Sequence, residues 1–154
     1  MRAQRSGLVV NLSSVGGFVA SPGWGVYCAT KFAVEGISEA MGHELAPLGV
    51  RVTAVEPGPF RTDFLDGSSL QVAAGRIDDY AASGGVARSW AVDANQDQEG
   101  DPRRAAKIIV DLASTDPLPQ RIQLGARAIE DVASKMELVT RCLLYTSPSP
   151  RDRS

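Results

Sequence analysis

Two short apolar runs of strand-forming residues most constrain the fold. Residues 8–13 are mostly apolar and include two β-branched valines, and residues 50–56 are rich in β-branched residues before the turn signal Pro57-Gly58. Runs of this kind are typical of parallel strands that are buried on both faces. Residues 121–124, which precede a glycine, form a shorter third candidate strand. The sequence therefore predicts at least three strands separated by long intervals.

Helical periodicity occupies those intervals. From about residue 26 to residue 46, apolar side chains recur at steps of three and four. Asp101 at an N-cap position and Pro102 at the first helical position predict the start of a second helix. A third helix is predicted for about residues 126–139, and residues 62–100 are interpreted as a variable region with short helices. The apolar positions of the first helix are Val34, Ile37, Met41, Leu45 and Leu48.

This order of elements predicts an α/β fold, in which a parallel sheet is built through right-handed crossovers. More specifically, we expect a partial doubly wound sheet. Ligands of such sheets bind outside the carboxyl ends of the strands. Ser14 and the turn from Pro57 to Thr62 both follow predicted strands. The candidate site is therefore expected at that edge of the sheet.

Composition excludes several functional classes. Hydrophobic residues make up 44%, charged residues 22%, and the net charge is −2, as in an ordinary globular domain. The absence of a basic run argues against a nucleic-acid partner, and no apolar stretch reaches the roughly 20 residues that a membrane span needs. Cys28, Cys142 and one histidine are too few for a disulfide framework or a zinc site. We expect no metal, no membrane and a reduced, cytoplasmic compartment.

The candidate catalytic residues are Ser14, Tyr27 and Lys31. Tyr27 and Lys31 lie one helical turn apart, so their side chains project from one face. A tyrosine hydroxyl has an ordinary pKa of about 10, and a nearby cation lowers it, so we expect Lys31 to lower the pKa of Tyr27. Ser14 can hold a substrate oxygen beside the tyrosine hydroxyl. This set can move a proton to or from a carbonyl oxygen, whereas a hydride would have to come from a nicotinamide.

Each motif also has a purely structural interpretation. Tyr-x-x-x-Lys occurs in many helices, a serine often ends a strand, and Pro-Gly-x-x-x-Thr alone is a loop. Their occurrence in order, on the element types that the chemistry requires, favours the catalytic interpretation. Four aromatic residues could either line a substrate pocket above the sheet or pack its lid. These are Trp24, Phe60, Phe64 and Trp90.

The stretch from Gly7 to Phe64 resembles the short-chain dehydrogenase/reductase family through N-L-S-S-V-G-G-F, Y-C-A-T-K and E-P-G-P-F-R-T-D-F. The resemblance implies an NAD(P)-dependent oxidoreductase that interconverts an alcohol and a carbonyl of a small molecule. It implies that Tyr27 is the general acid/base, that Ser14 positions the substrate oxygen and that Lys31 binds the nicotinamide ribose. It also implies a homo-oligomeric parent. The residues that would bind NAD or NADP are Tyr27, Lys31, Pro57, Gly58 and Thr62.

The family's glycine-rich T-G-x-x-x-G-x-G loop is not in this chain. We therefore interpret residues 1–141 as the C-terminal part of such a domain, with its last three strands and their helices. Such a part is expected to bind a dinucleotide weakly, to be inactive alone, and to self-associate or dissolve poorly because its first strand has an open edge.

Residues 142–154 change character abruptly. They contain two Ser-Pro steps, which a helix does not continue through. We interpret them as a non-native or disordered tail, with a natural disordered C-terminus as the alternative. For the chain as a whole, the alternatives to an enzyme are a non-catalytic scaffold or interaction module and an inactive gene fragment.

Overall fold

A computed structural model describes residues 1–145 as a parallel sheet with flanking helices. The three strands lie in the order β1 (Gly7–Leu12), β2 (Val50–Pro57) and β3 (Arg121–Leu124), and both neighbouring pairs are parallel. The predicted α/β fold and all three predicted strands are confirmed. The α-helices are α1 (Gly25–Leu45), α2 (Val86–Asp93), α3 (Pro102–Asp111) and α4 (Ala126–Tyr145).

The central strand β2 forms the core of the molecule. Val55 is fully buried and clusters with Leu112 and Leu124, and Leu8, Ile109 and Ile122 are among the partly buried residues packed around them. By contrast, every residue of β1 is half-buried or exposed. The expectation that β1 is buried on both faces is therefore wrong for this chain, because β1 lies at the edge of the sheet and β2 lies at its centre.

The buried face of α1 and of the turn that follows it includes four of the five predicted apolar positions, since Val34, Met41, Leu45 and Leu48 are partly buried. Cys28, Glu35 and Ser38 are buried, whereas Ile37 is 59% exposed. Polar side chains share the buried face, and one contacts the sheet, because the Asn11 side-chain amide of β1 donates to the Ser38 hydroxyl at 2.9 Å. Hydrophobic spacing thus placed four of the five positions correctly and missed the polar residues that share the buried face.

The remaining helices follow the sequence signals more closely. Asp101 caps α3 by accepting a hydrogen bond from the backbone N–H of Arg103 at 2.8 Å, and Pro102 is the first helical residue, as predicted. Helix α4 extends to Tyr145, beyond the predicted end near residue 139, and so enters the segment interpreted as a tail. The rest of that segment, residues 146–154, lies outside the described residues.

The predicted variable region, residues 62–100, contains short helices, as expected. These are the 3-10 turns Asp63–Leu65 and Asp78–Tyr80, the single π-helical turn Ala81–Gly85, and α2. Within residues 1–145, no helix combines the length and the apolar character that crossing a bilayer requires.

Candidate active site

The carboxyl ends of the three strands form one edge of the sheet. Leu12 pairs with Val55, and the next residue, Ser13, donates its backbone N–H to the Val55 carbonyl at 2.8 Å. At the other side of β2, Pro57 pairs with Leu124. The segments that follow β1 and β2 therefore start side by side, as the sequence predicts for a ligand-binding edge.

Ser14 is fixed at the start of a short helical turn. Its backbone is extended, and its hydroxyl accepts a hydrogen bond from the Gly16 N–H at 3.0 Å, which caps the 3-10 turn Val15–Gly17. Gly16 permits a close approach to Tyr27, because a Cβ at Gly16 would lie 3.1 Å from Tyr27 Cε1 and 3.4 Å from Ser14 Oγ. A small residue at this position therefore lets the serine and the tyrosine come together.

Tyr27 lies in the first turn of α1 and is half-buried. Burial raises the pKa of Tyr27, a hydrogen bond with the Ser14 side chain lowers it, and the neighbouring Cys28 raises it. The net pKa is above the ordinary value of 10.0. The phenol is therefore protonated at neutral pH, as an ordinary tyrosine also is.

Lys31 lies one turn further along α1 and reaches the end of β1. Its Nζ donates to the Leu12 carbonyl at 3.0 Å, and Nζ lies 5.9 Å from the centroid of the Tyr27 ring. The pKa of Tyr27 is nevertheless raised, because burial raises it more than the Ser14 side chain lowers it. The expected net lowering of the Tyr27 pKa is not found in this structure, because burial dominates, whereas the contribution of Lys31 itself stays a prediction.

The turn after β2 contains the other predicted cofactor-binding residues. Gly58 donates its N–H to the Leu124 carbonyl at 2.9 Å, which holds the Pro57-Gly58 turn against the end of β3. Thr62 is exposed, and its hydroxyl accepts a hydrogen bond from the Phe64 N–H at 3.4 Å. Thr62 itself is therefore an exposed residue of the loop that leads to Phe64.

Phe64 of that loop belongs to a group of four aromatic rings around the tyrosine. We call this group the aromatic cluster: Trp24, Tyr27, Phe64 and Trp90. The Phe64 ring lies 5.3 Å from the Tyr27 ring and 6.0 Å from the Trp24 ring, measured between centroids. Trp24 also makes edge contacts with Tyr27 and Trp90. Phe64 and Trp90 remain 44% and 45% exposed, so the cluster presents apolar surface beside the tyrosine.

Phe60 does not belong to the aromatic cluster. Its ring packs against the core residues around Val55, and its backbone forms a bridge with Gly100. A Cβ at Gly100 would lie 2.5 Å from the Phe60 ring, so the two segments are in tight contact. Phe60 instead lines a separate cavity with Ala105 and Gly125, which contains none of the residues of the aromatic cluster.

Sequence reasoning missed a buried ionic group behind the site. Glu35 of α1, Glu56 of β2 and Arg121 of β3 converge beneath the first helix. One signal was available, since Glu56 interrupts the apolar run V-T-A-V-E-P directly before the Pro57-Gly58 turn. A charged residue in a run that is otherwise typical of a buried strand needs a partner in the fold.

Comparison with known proteins agrees with this geometry. The model of the short chain dehydrogenase family matches residues 1–72. A 3-ketodihydrosphingosine reductase from Bacteroides thetaiotaomicron is 36% identical over 126 residues, which are 81% of this chain and 46% of that protein. The chain belongs to the short-chain dehydrogenase/reductase family. It contains only part of the family's domain.

Further members of the short-chain dehydrogenase/reductase family match over most of the chain. The oxidoreductase BOA17 from Botryotinia fuckeliana is 31% identical over 140 residues, which are 91% of this chain and 50% of that protein. The crystal structure of a short-chain dehydrogenase from Streptomyces avermitilis is 35% identical with a TM-score of 0.79, covering 94% of this chain and 52% of that one. The chain thus spans about half the length of the curated relatives it matches.

Proposed function

We propose that this chain is the part of an NAD(P)-dependent oxidoreductase that carries the proton-transfer site for interconverting an alcohol and a carbonyl. The observation that carries this proposal is the placement of Ser14, Tyr27 and Lys31 at the carboxyl edge of the sheet, where Gly16 packs against both Ser14 and Tyr27 and Lys31 reaches the Leu12 carbonyl. The names of the relatives, a ketone reductase and an oxidoreductase, support the same reaction class.

Tyr27 acts as the general acid when the carbonyl is reduced. The phenol is protonated at neutral pH, so it can donate to the carbonyl oxygen as negative charge develops there. Ser14 holds the same oxygen through its hydroxyl, which can donate one hydrogen bond and accept others. In the direction of alcohol oxidation the tyrosine must first lose its proton, so oxidation is favoured by a higher pH.

The residues present fit the nicotinamide end of a dinucleotide. An ammonium has three donors, and the hydrogen bond from Lys31 to Leu12 uses one of them, which leaves donors for ribose hydroxyls. Pro57, Gly58 and Thr62 provide a turn at the same edge. The cofactor, when bound, supplies or accepts the hydride. This sequence contains no T-G-x-x-x-G-x-G loop, which is the loop that would bind the pyrophosphate of the dinucleotide.

The substrate class follows from the surroundings of Tyr27. The rings of the aromatic cluster offer half-exposed apolar surface beside the tyrosine, which favours a small molecule with an apolar group next to its carbonyl. The choice of NAD or NADP, a homo-oligomeric state of the complete protein and a cytoplasmic location stay predictions from the sequence.

The reaction class is tested by isotope transfer in the complete reading frame that contains this chain. The protein is incubated with NADH or NADPH that carries deuterium at C4 of the nicotinamide, together with a panel of ketones that includes 3-ketodihydrosphingosine. We expect mass spectrometry to find one deuterium at the carbinol carbon of the product alcohol. A correctly folded complete protein that forms no labelled alcohol with any ketone would favour the non-catalytic scaffold.

A further inference from the structure

A buried group of ionisable side chains joins the three parts of the fold behind the candidate site. We call it the carboxyl cluster: Glu35 of α1, Glu56 of β2 and Arg121 of β3. Glu56 is 0% exposed and Glu35 is 5% exposed. Burial of charged groups at this depth is costly unless they are paired or neutralised. The charges of the carboxyl cluster must therefore be paired or neutralised within the fold.

The charges in the carboxyl cluster do not balance when every carboxyl group is ionised. Arg121 Nε lies 2.9 Å from one oxygen of Glu35 and 3.7 Å from one oxygen of Glu56. Its Nη2 also pairs with the half-exposed Glu39 at 2.6 Å. Glu56 also accepts a hydrogen bond from the Gln123 amide at 2.9 Å. One guanidinium thus serves three carboxyl groups.

Two oxygens of the carboxyl cluster have no hydrogen-bond partner among the described residues when both groups are ionised. They are Glu35 Oε1 and Glu56 Oε1, and both are buried. An ionised carboxylate accepts hydrogen bonds only, whereas a protonated one donates one bond. A proton on Glu56 would therefore turn two unsatisfied acceptors into a donor and an acceptor.

The electrostatic balance of Glu56 agrees with a retained proton. Burial raises the pKa of Glu56 most strongly, the hydrogen bond from Gln123 lowers it, and the charge of Glu35 raises it. Arg121 lowers it, and a hydrogen bond between the two carboxyl groups raises it again. The charged groups around Glu56 are thus Glu35, with Glu39 beyond it on α1, and Arg121 on β3.

The carboxyl cluster adjoins each segment that carries a candidate catalytic or binding residue. Glu35 lies one turn beyond Lys31 on α1, and Glu56 directly precedes Pro57. The turn that Ser14 caps also rests on it, because a Cβ at Gly17 would lie 3.1 Å from Glu35 Cγ. The cluster therefore sits where the positions of these segments relative to one another are determined.

We propose that Glu35 and Glu56 share one proton, and that this pair, closed by Arg121, holds α1 on β2 in the arrangement that brings Tyr27 to Ser14. Glu35, Glu56 and Arg121 are positioning residues, since none of them touches the tyrosine hydroxyl. The proposal of a shared proton is independent of the proposed function. The positioning role of these residues, by contrast, rests on the proposed function.

The proton makes the stability of the chain depend on pH in a defined direction. A carboxyl group whose pKa is raised in the folded state binds its proton more tightly there than in the unfolded chain. Its stabilising effect is fully present below the unfolded pKa and is lost as the pH rises through the folded pKa. Ionisation leaves two negative charges facing each other in a buried site, so the folded state is weakened at higher pH.

Urea denaturation of the full 154-residue chain between pH 4 and pH 9, followed by circular dichroism, tests the shared proton. For the wild type we expect the free energy of unfolding to fall with rising pH, with a slope that approaches about one proton. Glu56→Gln keeps the shape and the hydrogen-bonding capacity without the charge, so it should remove most of that slope. A wild-type slope near zero, or a slope that Glu56→Gln leaves unchanged, would overturn the proposal.

A second test of the shared proton asks whether Glu56→Gln restores stability that is lost in Arg121→Met. Arg121→Met removes the only cation of the cluster and should lower the urea midpoint at pH 8, and Glu56→Gln added to Arg121→Met should recover part of the loss. The control is Arg127→Met, since Arg127 pairs with Asp131 on the exposed face of α4, and it should change little. If the double variant is no more stable than Arg121→Met, the proposal of a shared proton is wrong.

Positioning is tested by the NMR signal of the Tyr27 ring carbon that bears the hydroxyl, in the same full chain. We expect Arg121→Met to shift this signal at a pH where the variant is folded, the added Glu56→Gln to return it toward the wild-type position, and Arg127→Met to leave it unchanged. A signal that stays in place in Arg121→Met would refute the positioning role alone. The proposed function is tested separately, by loss of turnover in Tyr27→Phe. Its failure can therefore be distinguished from failure of the positioning role.

Discussion

Lys31 Nζ donates a hydrogen bond to the Leu12 carbonyl at 3.0 Å, and this bond ties the first helix to the end of β1. The ammonium is thereby directed at a backbone oxygen, and it lies 5.9 Å from the centre of the Tyr27 ring. In this arrangement the environment of the tyrosine hydroxyl is determined by burial and by Ser14. Two titration results follow from that relationship.

We predict that Tyr27 titrates above its ordinary pKa of 10.0 in the full chain without cofactor, because burial raises the pKa more than the Ser14 hydrogen bond lowers it. Ser14→Ala should raise it further, whereas Lys31→Met should leave it nearly unchanged. NMR titration of tyrosine ring carbons measures this, with Tyr27→Phe identifying the signal. A wild-type pKa below 10.0, restored upward by Lys31→Met, would contradict the account.

A pair of glycine variants tests the packing behind the site. A Cβ at Gly17 would lie 2.6 Å from Ser13 Oγ and 3.0 Å from the Lys31 carbonyl, so Gly17→Ala should destabilise the chain by about 1–3 kcal/mol. At Gly36, in the middle of α1, a Cβ meets nothing within 4 Å, so Gly36→Ala should stabilise it by up to about 1 kcal/mol. Urea denaturation measures both. Equal effects of the two substitutions would show that α1 is placed wrongly.

The cap of α3 offers a test that is independent of the site. Asp101 accepts a hydrogen bond from the Arg103 N–H, so Asp101→Ala should cost about 1 kcal/mol of stability. Asp101→Asn keeps the acceptor and should cost clearly less. Thermal melting of the two variants side by side checks the prediction, and an alanine variant as stable as the wild type would argue against this helix start.

The exposed edge of the sheet leads to a prediction about self-association. Leu12 at the end of β1 and Val26 on α1 are 59% and 85% exposed, and an open strand edge recruits other chains. We expect light scattering to show concentration-dependent association of the chain, which Val26→Lys reduces. Val110→Lys, at a residue 71% exposed on α3, is the control and should have no effect. A monomer at all concentrations with a cooperative melt would refute this prediction.

The elements of the fold could be predicted because their signals are local. The runs of strand-forming residues give β1 and β2, and Asp101-Pro102 gives the start of α3. The edge at which Ser14, Tyr27 and Lys31 meet also follows from strand direction, because parallel strands place their carboxyl ends together.

What the sequence could not predict depends on contacts between distant segments. Glu35 and Arg121 lie far apart in the chain, and nothing near either residue announces their ion pair. Periodicity placed Ile37 on the inward face of α1, whereas the polar residues Glu35 and Ser38 share the buried face. The direction of the Tyr27 pKa shift depends on burial, which residue spacing does not reveal.

The central claim is that Tyr27 transfers the proton of an alcohol–carbonyl reaction. Its most direct test compares Tyr27→Phe with Tyr80→Phe in the complete reading frame, by the rate of NADH- or NADPH-dependent ketone reduction under single-turnover conditions. Tyr80 is 62% exposed and lies in the 3-10 turn Asp78–Tyr80, so it serves as the matched control. We expect Tyr27→Phe to lower the rate by about 10²–10⁴-fold and Tyr80→Phe to leave it unchanged. Full turnover in a folded Tyr27→Phe variant would contradict the account.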